Sequence, residues 1–103
     1  IQEILGEPWD REAAVRLAEQ RIAELDAAAP GPETWASYNV AYGRVVHARR
    51  ALGASPQEVS ALYRRAIAAA ERLQKAGLGS AMIDEALTFM RQQAAASPNT
   101  NAP

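Results

Sequence analysis

Basic side chains gather in two stretches of this sequence, and they are its best candidates for a functional site. The first stretch contains Arg44 and His47, and the second contains Arg64 and Arg65. If both stretches are neighbouring helices, these four residues would form a face that binds an acidic or helical segment of another protein, or of the same chain. The competing interpretation is a solvated helix surface whose charges are balanced by nearby carboxylates.

The residue types needed for catalysis or metal binding do not occur at useful spacings. His47 is the only histidine and cysteine is absent, so a histidine–cysteine metal site cannot be assembled. Asp84 and Glu85 are adjacent, so on a helix they point to different faces. The Gly77–Ser80 segment lacks the lysine of a phosphate-binding loop. The sequence therefore predicts a chain that is not an enzyme, with no cofactor and no metal.

Composition excludes two classes of partner. The 103 residues carry a net charge of −1 and are 49% hydrophobic, which predicts one globular domain without the basic excess of a nucleic-acid-binding protein. No apolar run approaches the roughly 20 residues of a membrane span, so no membrane insertion is expected. The lack of cysteine suits a reducing compartment, which predicts a cytoplasmic location. An excess of arginine over lysine suggests a bacterial source, and the initial Ile1 suggests a segment of a larger protein.

Turn-forming residues divide the chain into four predicted helices. Asp10 is expected to cap the first helix, Pro32 to occupy the first position of the second, and Ser80 to cap the fourth. Gly53 and Gly77 are expected to end the second and third helices. The predicted helices cover residues 9–28, 32–52, 56–76 and 80–96 of a single domain (residues 1–96), and residues 97–103 are expected to form a flexible tail or linker.

The strongest local signal lies at Ser55–Glu58, where the sequence reads Ser-Pro-Gln-Glu. Ser55 is expected to accept a hydrogen bond from the backbone of the first turn, and the Glu58 carboxylate to accept one from the backbone N–H of Ser55. Pro56 suits the first helical position because it has no N–H group to satisfy. This capping box predicts the start of the third helix.

Apolar residues recur every three or four positions, which predicts an all-α fold. Short connections between the helices require neighbours to pack antiparallel. Two arrangements are compatible with this pattern, repeat-like helical hairpins and a closed four-helix bundle. The seam of Val15, Ile22 and Leu25 on the first helix would pack inside either one, or would support self-association.

The segment Trp35–Leu73 resembles a tetratricopeptide repeat. Trp35, Tyr38 and Tyr42 fall at the spacing of the first helix of that family, and Tyr63 and Ala66 at the spacing of the second. The resemblance is a divergent one, with departures at Asn39 and Val59, where that family carries small residues. It implies stacked helical hairpins that bind other proteins.

These observations predict a non-catalytic protein–protein interaction module. The alternatives are a ligand-sensing or regulatory helical domain and a self-association domain. Asn39 discriminates between them, because a buried Asn39 that lines a cavity favours sensing, whereas an Asn39 hydrogen-bonded to a neighbouring helix favours a scaffold. Trp35 is expected to be buried near Leu73, since antiparallel packing places the start of the second helix beside the end of the third.

Overall fold

The computed structural model describes residues 8–96, and within this range the chain forms four α-helices and no strand. The helices are α1 (Pro8–Ala27), α2 (Thr34–Ala51), α3 (Pro56–Lys75) and α4 (Ala81–Ala96). Each end lies within two residues of its predicted position, and the all-α prediction is confirmed. The predicted tail at residues 97–103 lies outside the described residues.

The capping box at the start of α3 is formed by both of its hydrogen bonds. The backbone N–H of Glu58 donates to the Ser55 hydroxyl at 3.1 Å, and the backbone N–H of Ser55 donates to the Glu58 carboxylate at 2.8 Å. Ser80 caps α4 in a similar way, accepting from the backbone N–H of Ile83 at 3.2 Å. These side chains satisfy amide groups that the first turn of a helix leaves without partners.

The helices α2 and α3 end in the same glycine-dependent turn. Gly53 and Gly77 follow their last turns with φ angles of 91° and 84°, a conformation that residues with a Cβ atom rarely adopt. After α3, Gly77 donates to the carbonyl of Gln74 and Leu78 donates to that of Leu73. This pair of bonds closes the helix and turns the chain toward α4.

Two helix starts differ from their predicted positions. The helix α2 begins at Thr34 and not at Pro32, which lies in the preceding turn. In that turn the backbone N–H of Gly31 donates to the Thr34 hydroxyl at 2.7 Å. Asp10 lies inside the first turn of α1 and is not its cap, because α1 begins at Pro8. Its carboxylate still suits the positive end of the helix dipole.

The helices form an open, two-layered array. Substantial packing joins α1 to α2, α2 to α3 and α3 to α4, whereas α1 and α4 are not packed against each other in the described range. The molecule measures 44 × 41 × 21 Å, and its smallest dimension is about two helix diameters. The structure therefore has the consecutive hairpins that were predicted, and the closed bundle is not formed.

Aromatic and small side chains share one core, to which all four helices contribute. Tyr38 is completely buried, and its ring stacks on that of Tyr42 with centroids 6.1 Å apart. Trp35 is also buried, as predicted, and it lines the same cavity as Leu73. The seam residues Val15, Ile22 and Leu25 are buried as well. The first-helix seam is thus used for packing inside the chain.

Candidate functional site

One concave surface of the described range is a groove with α3 as its floor and the parallel helices α2 and α4 as its walls. It encloses about 500 Å³. Its two walls form because α2 and α4 both pack against α3 and lie on the same side of it. The side chains that line this groove are Trp35, Asn39, Tyr42, Gly43, Val46, His47, Arg50, Leu62, Tyr63, Ala66, Met82, Glu85, Ala86, Phe89 and Met90.

Large apolar side chains stand exposed along the α4 wall of the groove. Phe89 is 52% exposed and Met82 is 61% exposed, although both are large hydrophobic residues. The Phe89 ring meets the ring of Tyr63 edge-on, with centroids 6.0 Å apart. Apolar groups that remain in water at the mouth of a groove gain free energy when a partner covers them.

Polar groups lie on both walls. His47 and Arg50 stand at the α2 end of the groove farthest from Trp35, and Glu85 lies on the opposite wall. The guanidinium carbon of Arg50 lies 5.8 Å from the centre of the Tyr63 ring, at a distance typical of a cation–π contact. Asn39 is exposed on the wall and not buried. The groove is therefore open, and it lacks the enclosed polar pocket that a small-molecule sensor would use.

The four predicted partner-binding residues do not converge on one surface. Arg44 is exposed beside α1, whereas His47 lines the groove toward α4. Arg64 donates to the Ser60 hydroxyl at 2.7 Å, and Ser60 in turn donates to the Ala94 carbonyl. Arg65 points the other way, toward α1. Adjacent residues of a helix are about 100° apart, so Arg64 and Arg65 necessarily face different neighbours.

Arg65 belongs to a structural cluster that joins three helices. Its guanidinium donates two hydrogen bonds to Glu19 of α1, at 2.9 and 3.2 Å, and lies 5.5 Å from the centre of the Tyr42 ring of α2. The hydrogen bond with Glu19 raises the pKa of Arg65 above its ordinary value. Burial, above all, raises the pKa of Tyr42. This arginine is thus committed to holding α3 against α1.

A second layer of the same composition lies two turns away. The Tyr38 hydroxyl donates to Asp26 of α1 at 2.5 Å and accepts a hydrogen bond from Arg72 of α3. Burial of the tyrosine, reinforced by its bond to the Asp26 carboxylate, raises the pKa of Tyr38 to about 12. Both layers combine an acid from α1, a tyrosine from α2 and an arginine from α3.

The spacing of opposite charges on α1 and α3 is a sequence signal for these two layers. Glu19 and Asp26 are seven residues apart, as are Arg65 and Arg72, and seven residues return to the same helix face after two turns. The structure pairs Glu19 with Arg65 and Asp26 with Arg72 in the same order along both helices, so α1 and α3 run parallel, with a partner from α2 shared by both. Tyr38 and Tyr42, one turn apart on α2, supply that partner.

Chemistry-bearing clusters are lacking in the described part of the chain. Residues 8–96 contain no group of three or more histidine, cysteine, aspartate or glutamate side chains placed to hold a metal ion. None of the four helices is long and apolar enough to cross a membrane.

Comparison with known proteins provides no relative from which a role can be transferred. No protein-family description, no curated protein and no solved structure matches this chain.

Proposed function

We propose that this chain is a non-catalytic module that binds another protein through the groove between α2 and α4. The observation that carries the proposal is the exposure of Phe89 and Met82 beside the Tyr63 floor. Both side chains are large, lie on one helix face seven residues apart and border one continuous apolar surface. Such a rimmed apolar surface is typical of protein-binding sites.

The dimensions and composition of the groove favour the apolar face of a helix as its occupant. The α2 wall extends from Trp35 to Arg50, which corresponds to about 22 Å of helix axis. Methionine side chains such as Met82 and Met90 adapt to differently shaped partners because they are unbranched and polarisable. A partner helix of about 15 residues would cover the groove from end to end.

The two alternative functions receive less support. A ligand-sensing domain needs an enclosed polar pocket, and Asn39, His47 and Glu85 all remain exposed. Self-association through the first-helix seam would require exposure of Ile22 and Leu25, which are buried. Binding of a partner helix needs no rearrangement of the described residues, because the groove is already open.

A peptide library displayed on phage tests the proposal on the purified chain. We expect selected peptides to carry apolar residues at helical spacing and to shift amide NMR signals of α2 and α4 along the groove. Phe89→Lys, which places a charge in the apolar contact, should weaken their binding by about tenfold or more. Gln92→Lys is the matched control, since Gln92 is exposed on the same helix but does not line the groove. Selected peptides that bind both variants alike would contradict the proposal.

A further inference from the structure

A second apolar surface lies on the opposite side of α2, where α1 and α2 run antiparallel. It encloses about 680 Å³ and shares only its supporting helix with the groove described above. We call it the α1–α2 face. Its lining residues are Ala14, Leu17, Ala18 and Arg21 of α1 and Ala36, Ser37, Val40, Ala41 and Arg44 of α2.

The two walls of the α1–α2 face repeat one pattern. On α1, Leu17 precedes Arg21 by four residues, and on α2, Val40 precedes Arg44 by the same distance. Residues four apart lie on the same side of a helix, so each wall presents one apolar and one basic group. Leu17 is 66% exposed and Val40 is 53% exposed. The other lining residues are small, which allows the backbone of a partner helix to approach closely.

The charge of this face has one sign. Both of its charged lining residues are arginines, and no carboxylate lines it. Arg21 has one exposed ion pair, with Glu24 at 3.4 Å, and such pairs are weak enough for another carboxylate to displace. Arg44 forms neither an ion pair nor a hydrogen bond with any residue in the 8–96 range. The face therefore offers two cations at the edges of an apolar floor.

We infer that the α1–α2 face docks an acidic amphipathic helix of another protein. The apolar side of that helix would cover Leu17 and Val40, and its glutamate or aspartate residues would pair with Arg21 and Arg44. A second copy of this chain is a poorer fit, since two such faces brought together would oppose four arginines without a carboxylate among the lining residues. This surface is distinct from the groove, so the inference does not depend on the proposed function.

Two synthetic helical peptides test the inference by fluorescence anisotropy. Both carry the same leucine face, and their flanking positions are glutamate in one and lysine in the other. The glutamate peptide should bind at least about tenfold more tightly to the intact chain, and added salt should weaken it. Arg44→Glu should remove most of this preference, and the double variant Arg21→Glu/Arg44→Glu should reverse it in favour of the lysine peptide.

Matched controls separate a specific surface from general electrostatics. Arg16→Glu changes the net charge of α1 as Arg21→Glu does, but Arg16 lies away from the α1–α2 face, so it should leave the preference intact. Val40→Ser should weaken both peptides, because it removes apolar contact without changing charge. Amide NMR signals of Leu17 and Val40 should shift when the glutamate peptide is added.

Four results would overturn the inference. One is equal affinity for the two peptides, and another is an Arg16→Glu effect as large as that of Arg44→Glu. The third is a concentration-dependent dimer in analytical ultracentrifugation that Leu17→Glu abolishes, which would identify a second copy as the occupant. Loss of glutamate-peptide binding in Phe89→Lys alone would instead locate the peptide in the groove between α2 and α4.

Discussion

Single side chains in this molecule differ widely in how much they contribute to the free energy of unfolding, and we expect the contribution of Trp35 to be among the largest. It is 4% exposed, and it reaches from the start of α2 to the cavity beside Leu73. Trp35→Ala should lower the free energy of unfolding by about 3–5 kcal/mol, through lost burial and the cavity left behind. Urea denaturation followed by circular dichroism measures this change. Leu17→Ala, at an exposed site, should change it by less than about 0.5 kcal/mol, and equal effects would show that Trp35 is not a core residue.

Tyr38 gives stability a dependence on alkaline pH. Its pKa rises from the ordinary value of 10 to about 12 in the folded chain, so the folded state holds the phenol proton more tightly than the unfolded state does. Stability from this source is complete below pH 10 and is lost as the pH rises from 10 to 12. Burial is the main cause of the raised pKa of Tyr38; the Asp26 carboxylate adds to it, and the Arg72 guanidinium opposes it.

Tyr38→Phe should therefore flatten the loss of stability between pH 10 and 12. Denaturant midpoints of the two proteins at pH 9, 10 and 11 check the difference, and the absorbance change near 295 nm reports phenol ionisation directly. Tyr42→Phe is a useful comparison, because burial also raises the pKa of Tyr42. An identical pH dependence in Tyr38→Phe and the unchanged chain would contradict the assignment.

At the scale of the element, the helix ends are where sequence and structure agree best. The residues that end the helices form hydrogen bonds with residues three to five positions away, as at Ser55, Glu58, Gly53 and Gly77. Their roles can therefore be predicted without knowledge of the tertiary fold. The prediction that α2 begins at Pro32 is wrong by two residues. The helix begins at Thr34, whose hydroxyl accepts a hydrogen bond from the backbone N–H of Gly31. Capping and turn residues predict the turn in which a helix begins or ends, but they predict the exact terminal residue less well.

Removing the cap of α3 should have a measurable cost. Ser55→Ala deletes the acceptor for the Glu58 backbone N–H and should lower the free energy of unfolding by about 1 kcal/mol. Chemical denaturation measures the shift in midpoint. Gln57→Ala is the control, since Gln57 is exposed in the same turn without a capping bond. A midpoint unchanged by Ser55→Ala would show that the capping box contributes nothing to stability.

At the scale of the whole molecule, local sequence patterns do not predict the candidate sites. The sequence analysis predicts that Arg44 and Arg65 share a surface because they lie on neighbouring helices. The sequence does not show which side of each helix faces solvent. The structure uses Arg65 to join α3 to α1 and leaves Arg44 exposed. Likewise, the groove exists because α2 and α4 lie on the same side of α3, and no short-range pattern reports that arrangement. The fold class can be predicted from the spacing of apolar residues. A surface formed by three helices depends on how those helices are arranged in space, which this spacing does not report.

The open order of the helices also bears on how the chain folds. Every well-packed helix pair is consecutive in sequence, so the chain never has to close a long loop before burying apolar surface. Proteins dominated by such local contacts are among the fastest to fold. Each hairpin can form and then recruit the next helix, with the acid–tyrosine–arginine layers fixing the register once α1, α2 and α3 have met. Because α1 and α4 do not pack against each other, the chain buries less apolar surface than a closed bundle would, but it can fold through contacts between consecutive helices.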